Sequence, residues 1–230
     1  MDAGAVVAPV LALATGYLIG SVPFAYVIVR LVTGEDITAH GTGNVGSMNV
    51  RRATGSWGWF AVAMVADMLK GFVPVAAVKL LHGLSITVPF GSTLAGGLTL
   101  AALAVPAMVL GTVLGHNYSA WMALIEKRFL RTGKGLATGA GAVLAYDWRY
   151  FLAVVVVGLL TIAITRYMMA GQVTAAFTLP VAALLLRSPD WPFALLLGLL
   201  VYAAHHTRFV GLLQGREPKL YIEDRMGPRG

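Results

Sequence analysis

The chain has 230 residues, of which 58% are hydrophobic and only 12% charged, and its mean hydropathy is +0.77. A soluble domain carries about 25% charged residues, so this composition indicates an integral membrane protein, and the absence of cysteine excludes disulfides, thiolate metal sites and an acyl-thioester intermediate. The formal charge of +7 does not indicate a nucleic-acid partner, because the cations lie at the ends of apolar stretches rather than on one basic face.

Apolar stretches predict the membrane-crossing helices, each of which needs about 20 residues. They run over residues 5 to 32, 57 to 81, 94 to 125, 150 to 165, 168 to 186 and 193 to 204. The fourth and sixth are short and need flanking residues to cross. A further stretch, Leu136 to Tyr146, is too short to cross alone. No Lys or Arg precedes Arg30, so the first stretch lacks the basic region of a secretory signal and is expected to be retained.

The distribution of positive charge predicts the topology, because cytoplasmic loops hold the excess of Lys and Arg. If 136–146 and 150–165 form two crossings, the cations divide 13 to 3 between the two sides, with Lys70 inside a helix. We therefore expect an all-α integral membrane protein with about seven transmembrane helices, the N-terminus outside and the C-terminus cytoplasmic. Residues 1–206 are predicted to form a single transmembrane domain, and residues 207–230 a polar cytoplasmic tail.

The first polar segment, GTGNVGSMNVRR, runs from Gly41 to Arg52. Its glycines allow consecutive N–H groups to form an anion-binding nest, and Arg51 and Arg52 can add charge-assisted hydrogen bonds. The alternative is a solvated loop whose arginines only follow the positive-inside rule. The G-x-G-x-x-G spacing within it follows a membrane helix rather than a buried strand, so nucleotide binding is not expected.

The second polar segment, RTGKGLATG, runs from Arg131 to Gly139 and places Gly133-Lys134-Gly135 directly before the short stretch 136–146. A helix N-terminus presents N–H donors and the positive end of the dipole. The P-loop pattern is incomplete, because Gly135 stands where Ser or Thr is required. The segment predicts phosphate or carboxylate binding without ATPase activity; the alternative is a loop with a topogenic lysine.

Ionisable residues inside the apolar stretches mark candidate polar contacts. Asp67 and Lys70 are spaced i,i+3 and can pair on one helix face, which favours structural support over direct catalysis. His116 is expected to form a hydrogen bond, whereas His205, near a helix end, could meet a substrate phosphate. The histidine pairs supply too few ligands for a metal, so neither a metal nor a cofactor is expected. The hydrolase pattern G-x-S-x-G and the His-four-Asp acyltransferase motif are absent.

Blocks along nearly the whole chain resemble, in the same order, the bacterial membrane-integral acyl-phosphate:glycerol-3-phosphate acyltransferases. These blocks are GYLIGSVPFAY (16–26), GTGNVGSMNVRR (41–52), ADMLKGFVPV (66–75), LGHNY (114–118), TGKGLATG (132–139) and LLQGREPK (212–219). The resemblance implies seven helices in the bacterial plasma membrane, a site facing the cytoplasm, and acyl phosphate and glycerol 3-phosphate as substrates. The acceptor hydroxyl would attack the acyl phosphate directly, so no protein nucleophile is required.

The resemblance also implies roles for individual residues. Catalytic roles fall on Thr42, Asn44, Lys134 and His205. Substrate contacts fall on Gly41, Gly43, Ser47, Asn49, Arg52, Gly133, Gly135, Thr138, Gln172 and Arg208, with Arg52 and Lys134 holding phosphate. Supporting roles fall on Asp67, Lys70 and His116.

The chain also departs from the family pattern at several positions. The family's Ala-Thr-Asn is Ser47-Met48-Asn49 here, and the third motif, residues 167–173, lacks two serines, one of them replaced by Gln172. Near the C-terminus His206 and Arg208 replace family residues, Arg208 standing for an acceptor-binding Asn. The loop between His116 and Lys134 is longer than usual. These departures leave three alternatives open: another acceptor, a transporter of a phosphorylated solute, or an inactive relative.

Overall fold

The computed structural model describes residues 3–83, 103–217 and 219. In this part of the chain the regular structure is entirely helical. The α-helices are α1 Ala3–Gly20, α2 Phe24–Thr33, α3 Ser47–Thr54, α4 Trp57–Gly83, α5 Ala104–Asn117, α6 Ala120–Glu126, α7 Leu136–Tyr146, α8 Trp148–Thr165, α9 Met168–Leu185 and α10 Trp191–Leu213. A short 3-10 turn, Ile37–Ala39, lies between α2 and α3.

The outer surface of the helices is apolar. Among the described residues, five segments are long and apolar enough to cross a membrane: Val7–Thr33, Trp57–Leu81, Trp148–Thr165, Met168–Leu185 and Trp191–Leu213. Leu31, Ile164 and Leu185 are each about 80% exposed, which requires a lipid rather than an aqueous surrounding. The predicted all-helical, multi-pass membrane protein is confirmed. The count of seven crossings and the orientation stay predictions.

Two apolar stretches that were predicted to be continuous are broken. The stretch 5–32 is interrupted between α1 and α2, because Pro23 lacks an N–H donor and disfavours helical backbone in the residue before it. The stretch 94–125 is interrupted after α5, where the Ser119 hydroxyl accepts a hydrogen bond from the Met122 N–H (3.1 Å) and caps α6. Residues 94–102 lie outside the described part. The two interruptions lie next to each other, because the Ser119 hydroxyl donates a hydrogen bond to the Ser21 carbonyl (2.5 Å).

The chain forms two compact units, Met1–Trp148 and Arg149–Gly230. The single transmembrane domain over residues 1–206 stays a prediction. In the second unit, α9 and α10 pack closely at Gly198, where a Cβ atom would lie 2.5 Å from the Ala176 carbonyl oxygen. Helix α10 continues to Leu213, so residues 207–213 of the predicted tail are helical.

Glycines allow the helices of the first unit to approach closely. A Cβ atom on Gly20 of α1 would collide with the Thr112 carbonyl of α5, and one on Gly115 of α5 would collide with the Tyr17 carbonyl of α1. Such close backbone contact is typical of small residues at helix crossings in membranes. Helices α4 and α7 meet in the same way, since a Cβ on Gly141 would collide with the Met68 carbonyl. These contacts pack α1 against α5 and α4 against α7.

Candidate functional site

Asn49 fixes the shape of the first polar segment. Its side-chain amide is buried and donates hydrogen bonds to the backbone carbonyls of Ile37 (3.0 Å) and His40 (2.9 Å). Gly41 lies against it with φ +49°, and a Cβ there would lie 2.5 Å from Asn49 Oδ1 and 2.7 Å from Arg52 Cδ. Only glycine fits this position without strain. Asn49 therefore holds the loop against the first turn of α3.

The backbone joins the two polar segments directly. The Val45 N–H donates to the Thr132 carbonyl at 2.7 Å. Thr132 is itself attached to the end of α5: its N–H donates to the Asn117 carbonyl (2.8 Å) and its hydroxyl to the His116 carbonyl (2.9 Å). The residues just before α3 and just before α7 are thus held side by side.

Two helix N-termini consequently lie close to this junction. Helix α3 begins after Gly46 without a side-chain cap, and α7 begins after Gly135, which has φ +71°. The first N–H groups of a helix have no intrahelical partner and carry the positive end of the dipole. Lys134 stands one residue before Gly135 and is partly exposed. This arrangement provides a place for anionic groups such as phosphates.

A buried chain of polar side chains supports the second segment from behind. Lys70 Nζ lies 2.8 Å from Asp67 Oδ1 and donates to the Val22 carbonyl at 2.8 Å. Asp67 Oδ1 lies 3.7 Å from His116 Nδ1, which is 3.2 Å from the Thr138 hydroxyl. The predicted pairing of Asp67 with Lys70 is confirmed. These polar side chains connect the segment between α1 and α2 to α4, α5 and α7.

The predicted site residues of the first unit separate into a surface set and a buried set. Thr42 and Arg52 are exposed, while Asn44, Ser47 and Gly43 are partly exposed. The buried set comprises Asn49, Gly133, Gly135 and Thr138, together with the supporting residues Asp67, Lys70 and His116. Substrate contact by Thr138 stays a prediction, and the structure places its hydroxyl against the His116 ring.

In the second unit the predicted residues lie on α9 and α10. His205 is buried, and its Nδ1 lies 2.8 Å from the Val201 carbonyl, so this nitrogen carries the proton and donates it. Gln172 Oε1 is buried and has no hydrogen-bond partner within the described part of the chain. Arg208 pairs with the Glu217 carboxylate through Nε (3.0 Å) and Nη2. Arg208 therefore holds the segment that follows α10.

Comparisons with known proteins find the same family that the conserved-order sequence blocks resemble. The family model described as glycerol-3-phosphate acyltransferase matches residues 10–215. The chain belongs to this family. The glycerol-3-phosphate acyltransferase of Gluconobacter oxydans is 33% identical over 213 residues, covering 90% of each chain. That of Thermus thermophilus is 37% identical over 215 residues, covering 93% of this chain and 96% of the relative.

Two solved structures resemble the chain over nearly its whole length. The crystal structure of PlsY (YgiH), an integral membrane glycerol 3-phosphate acyltransferase, in the glycerol 3-phosphate form has a TM-score of 0.72 and 27% identity, covering 92% of this chain and 94% of that one. The lysophosphatidic acid form has a TM-score of 0.71 and 26% identity over the same shares. The resemblance inferred from the sequence is confirmed, and the chain is an acyltransferase.

Sequence reasoning did not single out Thr132 as a site residue of this glycerol-3-phosphate acyltransferase. Thr132 joins the two polar segments mostly through its backbone N–H and carbonyl. Every residue except proline has both groups, so the residue type does not indicate this role. Asn117 was not predicted as a site residue either, although its carbonyl accepts the Thr132 N–H. Both residues lie inside sequence blocks that resemble the family, and this location could have indicated their role.

Replacing Asp67 by asparagine in this acyltransferase is expected to destabilise the first unit by about 3 to 5 kcal/mol. The buried Lys70 amine would lose its carboxylate partner, since both side chains are less than 5% exposed. The double variant Asp67→Asn/Lys70→Met removes both charges and should recover part of the loss. Thermal unfolding of purified protein in detergent measures both, and the double-mutant cycle gives the coupling. Equal unfolding temperatures for wild type and Asp67→Asn would show that the pair contributes no stability.

Proposed function

We propose that this acyltransferase transfers an acyl group from an acyl phosphate to the 1-hydroxyl of glycerol 3-phosphate, giving lysophosphatidate and phosphate. The relatives are named for glycerol 3-phosphate, and the two PlsY structures are described as its glycerol 3-phosphate and lysophosphatidic acid forms. Acyl phosphate as donor rests on the sequence blocks that resemble the acyl-phosphate-dependent enzymes. We place this reaction in phospholipid synthesis.

The observation that carries this proposal is the bond from the Val45 N–H to the Thr132 carbonyl (2.7 Å). It holds two helix N-termini and Lys134 together, and Arg52 lies on α3 beside Gly41. Both substrates carry a phosphate, so a site with two groups of N–H donors and two cations matches their charge. We assign Arg52 and Lys134 to the phosphates, and Thr42 and Asn44 to the reacting groups.

The chemistry follows from the donor. Acyl phosphate is a mixed anhydride whose phosphate is a good leaving group. The acceptor hydroxyl forms a bond to the acyl carbon, and the bond from that carbon to the phosphate oxygen breaks with the electron pair leaving on phosphate. The released phosphate takes up the proton that the hydroxyl loses, so the products are the ester and hydrogen phosphate. The protein orients the two substrates and stabilises the charge that develops. A protein nucleophile is not needed, and the chain contains no cysteine that could carry an acyl thioester.

We further propose that the enzyme lies in the bacterial plasma membrane with its site facing the cytoplasm. The 13 to 3 division of cations supports this orientation, since both polar segments fall on the side with the positive excess. His205 stays a predicted catalytic residue, and Gln172 and Arg208 stay predicted substrate contacts.

Isotope exchange tests direct transfer. The purified enzyme in liposomes is incubated with palmitoyl phosphate and ³²P-phosphate, without and then with glycerol 3-phosphate. We expect no label in palmitoyl phosphate when the acceptor is absent, because no acyl-enzyme forms. Exchange at a rate similar to that of acyl transfer would instead show a covalent acyl-enzyme.

Two further arms separate the alternatives. Acylation of a different acceptor in place of glycerol 3-phosphate would indicate another substrate. Uptake of labelled glycerol 3-phosphate into the liposomes without acyl transfer would indicate a transporter.

A further inference from the structure

Residues 118–131 form a loop whose two ends are held together, and we call it the interface loop. At its ends the Thr132 N–H donates to the Asn117 carbonyl (2.8 Å), and the Ser119 N–H donates to the Thr132 hydroxyl (3.3 Å). A compact surface loop with joined ends is an independent structural unit that commonly has a function of its own. The interface loop contains α6 and lies within the stretch between His116 and Lys134, which is expected to be longer here than in the family pattern.

One side of the interface loop packs into the protein. Met122 is buried in a core cluster with residues of α2, the 3-10 turn and α3. Two hydrogen bonds attach the loop to α1: the Tyr17 hydroxyl donates to the Tyr118 carbonyl (2.8 Å), and the Trp121 indole N–H donates to the Leu18 carbonyl (3.3 Å). The loop is therefore fixed against the outer face of α1, where Leu18 is also exposed.

The other side of the interface loop is apolar and exposed. Leu124 is 72% and Phe129 66% exposed, and Trp121, Ile125 and Leu130 are about half exposed. Phe129 also stacks on the exposed Tyr118, with ring centroids 6.0 Å apart. A patch of this kind is unfavourable in water, whereas Trp and Tyr are preferred where the bilayer meets water. The patch adjoins an apolar segment long enough to cross a membrane, because Trp121 is hydrogen-bonded to Leu18, whose exposed side chain lies within Val7–Thr33.

Cations border this apolar patch. Lys127, Arg128 and Arg131 are exposed, and the one carboxylate in the loop, Glu126, lies 3.9 Å from Arg128, near the limit of an ion pair. Lys and Arg beside an apolar face extend their charged ends toward headgroups. The loop thus carries an excess of positive charge beside its apolar side.

We propose that the interface loop binds anionic phospholipid headgroups at the bilayer surface, with Leu124 and Phe129 among the acyl chains and Lys127 and Arg128 at the phosphates. The binding enriches anionic lipid next to the second polar segment, because the last residue of the loop, Arg131, is the first residue of that segment. This proposal does not depend on the reaction that the site performs.

A fluorescence quenching experiment tests the proposal. The chain has no cysteine, so Leu124→Cys gives a single attachment point for a bimane label in the full-length protein in liposomes. The quenchers are phosphatidylglycerol and phosphatidylcholine that carry the same acyl-chain nitroxide at equal mole fraction. One cation near an anionic surface favours binding by about fivefold, so we expect phosphatidylglycerol to quench several-fold more strongly. In the background Lys127→Gln/Arg128→Gln the two lipids should quench almost equally.

Two controls accompany the measurement. Glu35→Cys labels an exposed polar position before the 3-10 turn and should be quenched by aqueous iodide rather than by lipid nitroxide. Arg187→Gln removes an exposed cation outside the loop and should leave the lipid preference at position 124 unchanged. Iodide quenching of the label at position 124 without lipid quenching, or equal quenching by both lipids in the otherwise wild-type protein, would overturn the proposal. A preference that survives Lys127→Gln/Arg128→Gln would overturn it as well.

Discussion

Replacement of Lys134 by alanine is expected to lower kcat/KM for acyl transfer by about 100-fold to 1,000-fold, the effect of removing one charge-stabilising donor from a transition state. Lys134 precedes the N-cap of α7 in a backbone held by Thr132 and by the end of α5. Its ammonium group therefore adds charge where the first N–H groups of α7 already favour an anion. The measurement is steady-state acyl transfer in liposomes with varied palmitoyl phosphate and varied glycerol 3-phosphate.

Matched variants separate this role from a topogenic one. Lys134→Arg keeps the positive charge and should retain more activity than Lys134→Ala. Arg187→Ala removes an exposed cation outside the site and should stay within about twofold of wild type, as surface changes usually do. If Lys134→Ala and Arg187→Ala have the same small effect, Lys134 does not bind phosphate.

Replacement of Gly133 by alanine is expected to lower kcat/KM by about 100-fold, the effect of a misplacement of roughly 1 Å in a catalytic group. A Cβ at Gly133 would collide with His116 Nε2 and would lie 2.9 Å from the His116 carbonyl oxygen. The His116 ring is itself held near Thr138 and Asp67, so the loop must move instead, and Lys134 moves with it. Activity and the unfolding temperature should both fall.

Gly139→Ala is the control for this effect, because it adds the same methyl group six residues further along. There a Cβ would meet only Val113 Cγ2 at 3.6 Å, an ordinary contact, and alanine favours helix over glycine by about 1 kcal/mol. We expect unchanged activity and equal or higher stability. If Gly133→Ala is as active as Gly139→Ala, the His116 ring does not set the position of the loop.

The sequence predicted the helices well where a single physical signal determined them. Apolar length predicted α4 and α9, and the short stretch 136–146 corresponds to α7. The breaks at Pro23 and Ser119 were not predicted, because the surrounding residues are apolar enough to continue a helix. Their locations depend on capping and on the contact between Ser119 and Ser21, two residues that lie far apart in the chain.

The sequence indicated individual residues and pairs of the candidate site, but not how they are arranged in space. Spacing was sufficient to pair Asp67 with Lys70, whereas the anion site that the glycines and Lys134 indicate stays a prediction. The inclusion of His116 and Thr138 in the same buried chain depends on how α4, α5 and α7 pack. The junction of the two polar segments is a backbone hydrogen bond, and side-chain types along a sequence do not encode such bonds.

The most direct measurement of the central claim is product formation by the purified wild-type protein from palmitoyl phosphate and radiolabelled glycerol 3-phosphate. We predict lysophosphatidate and inorganic phosphate in a ratio of about one to one, since each transfer breaks one acyl–phosphate bond. Lysophosphatidate formation by wild type that does not exceed that of Lys134→Ala would contradict acyl transfer at the joined polar segments.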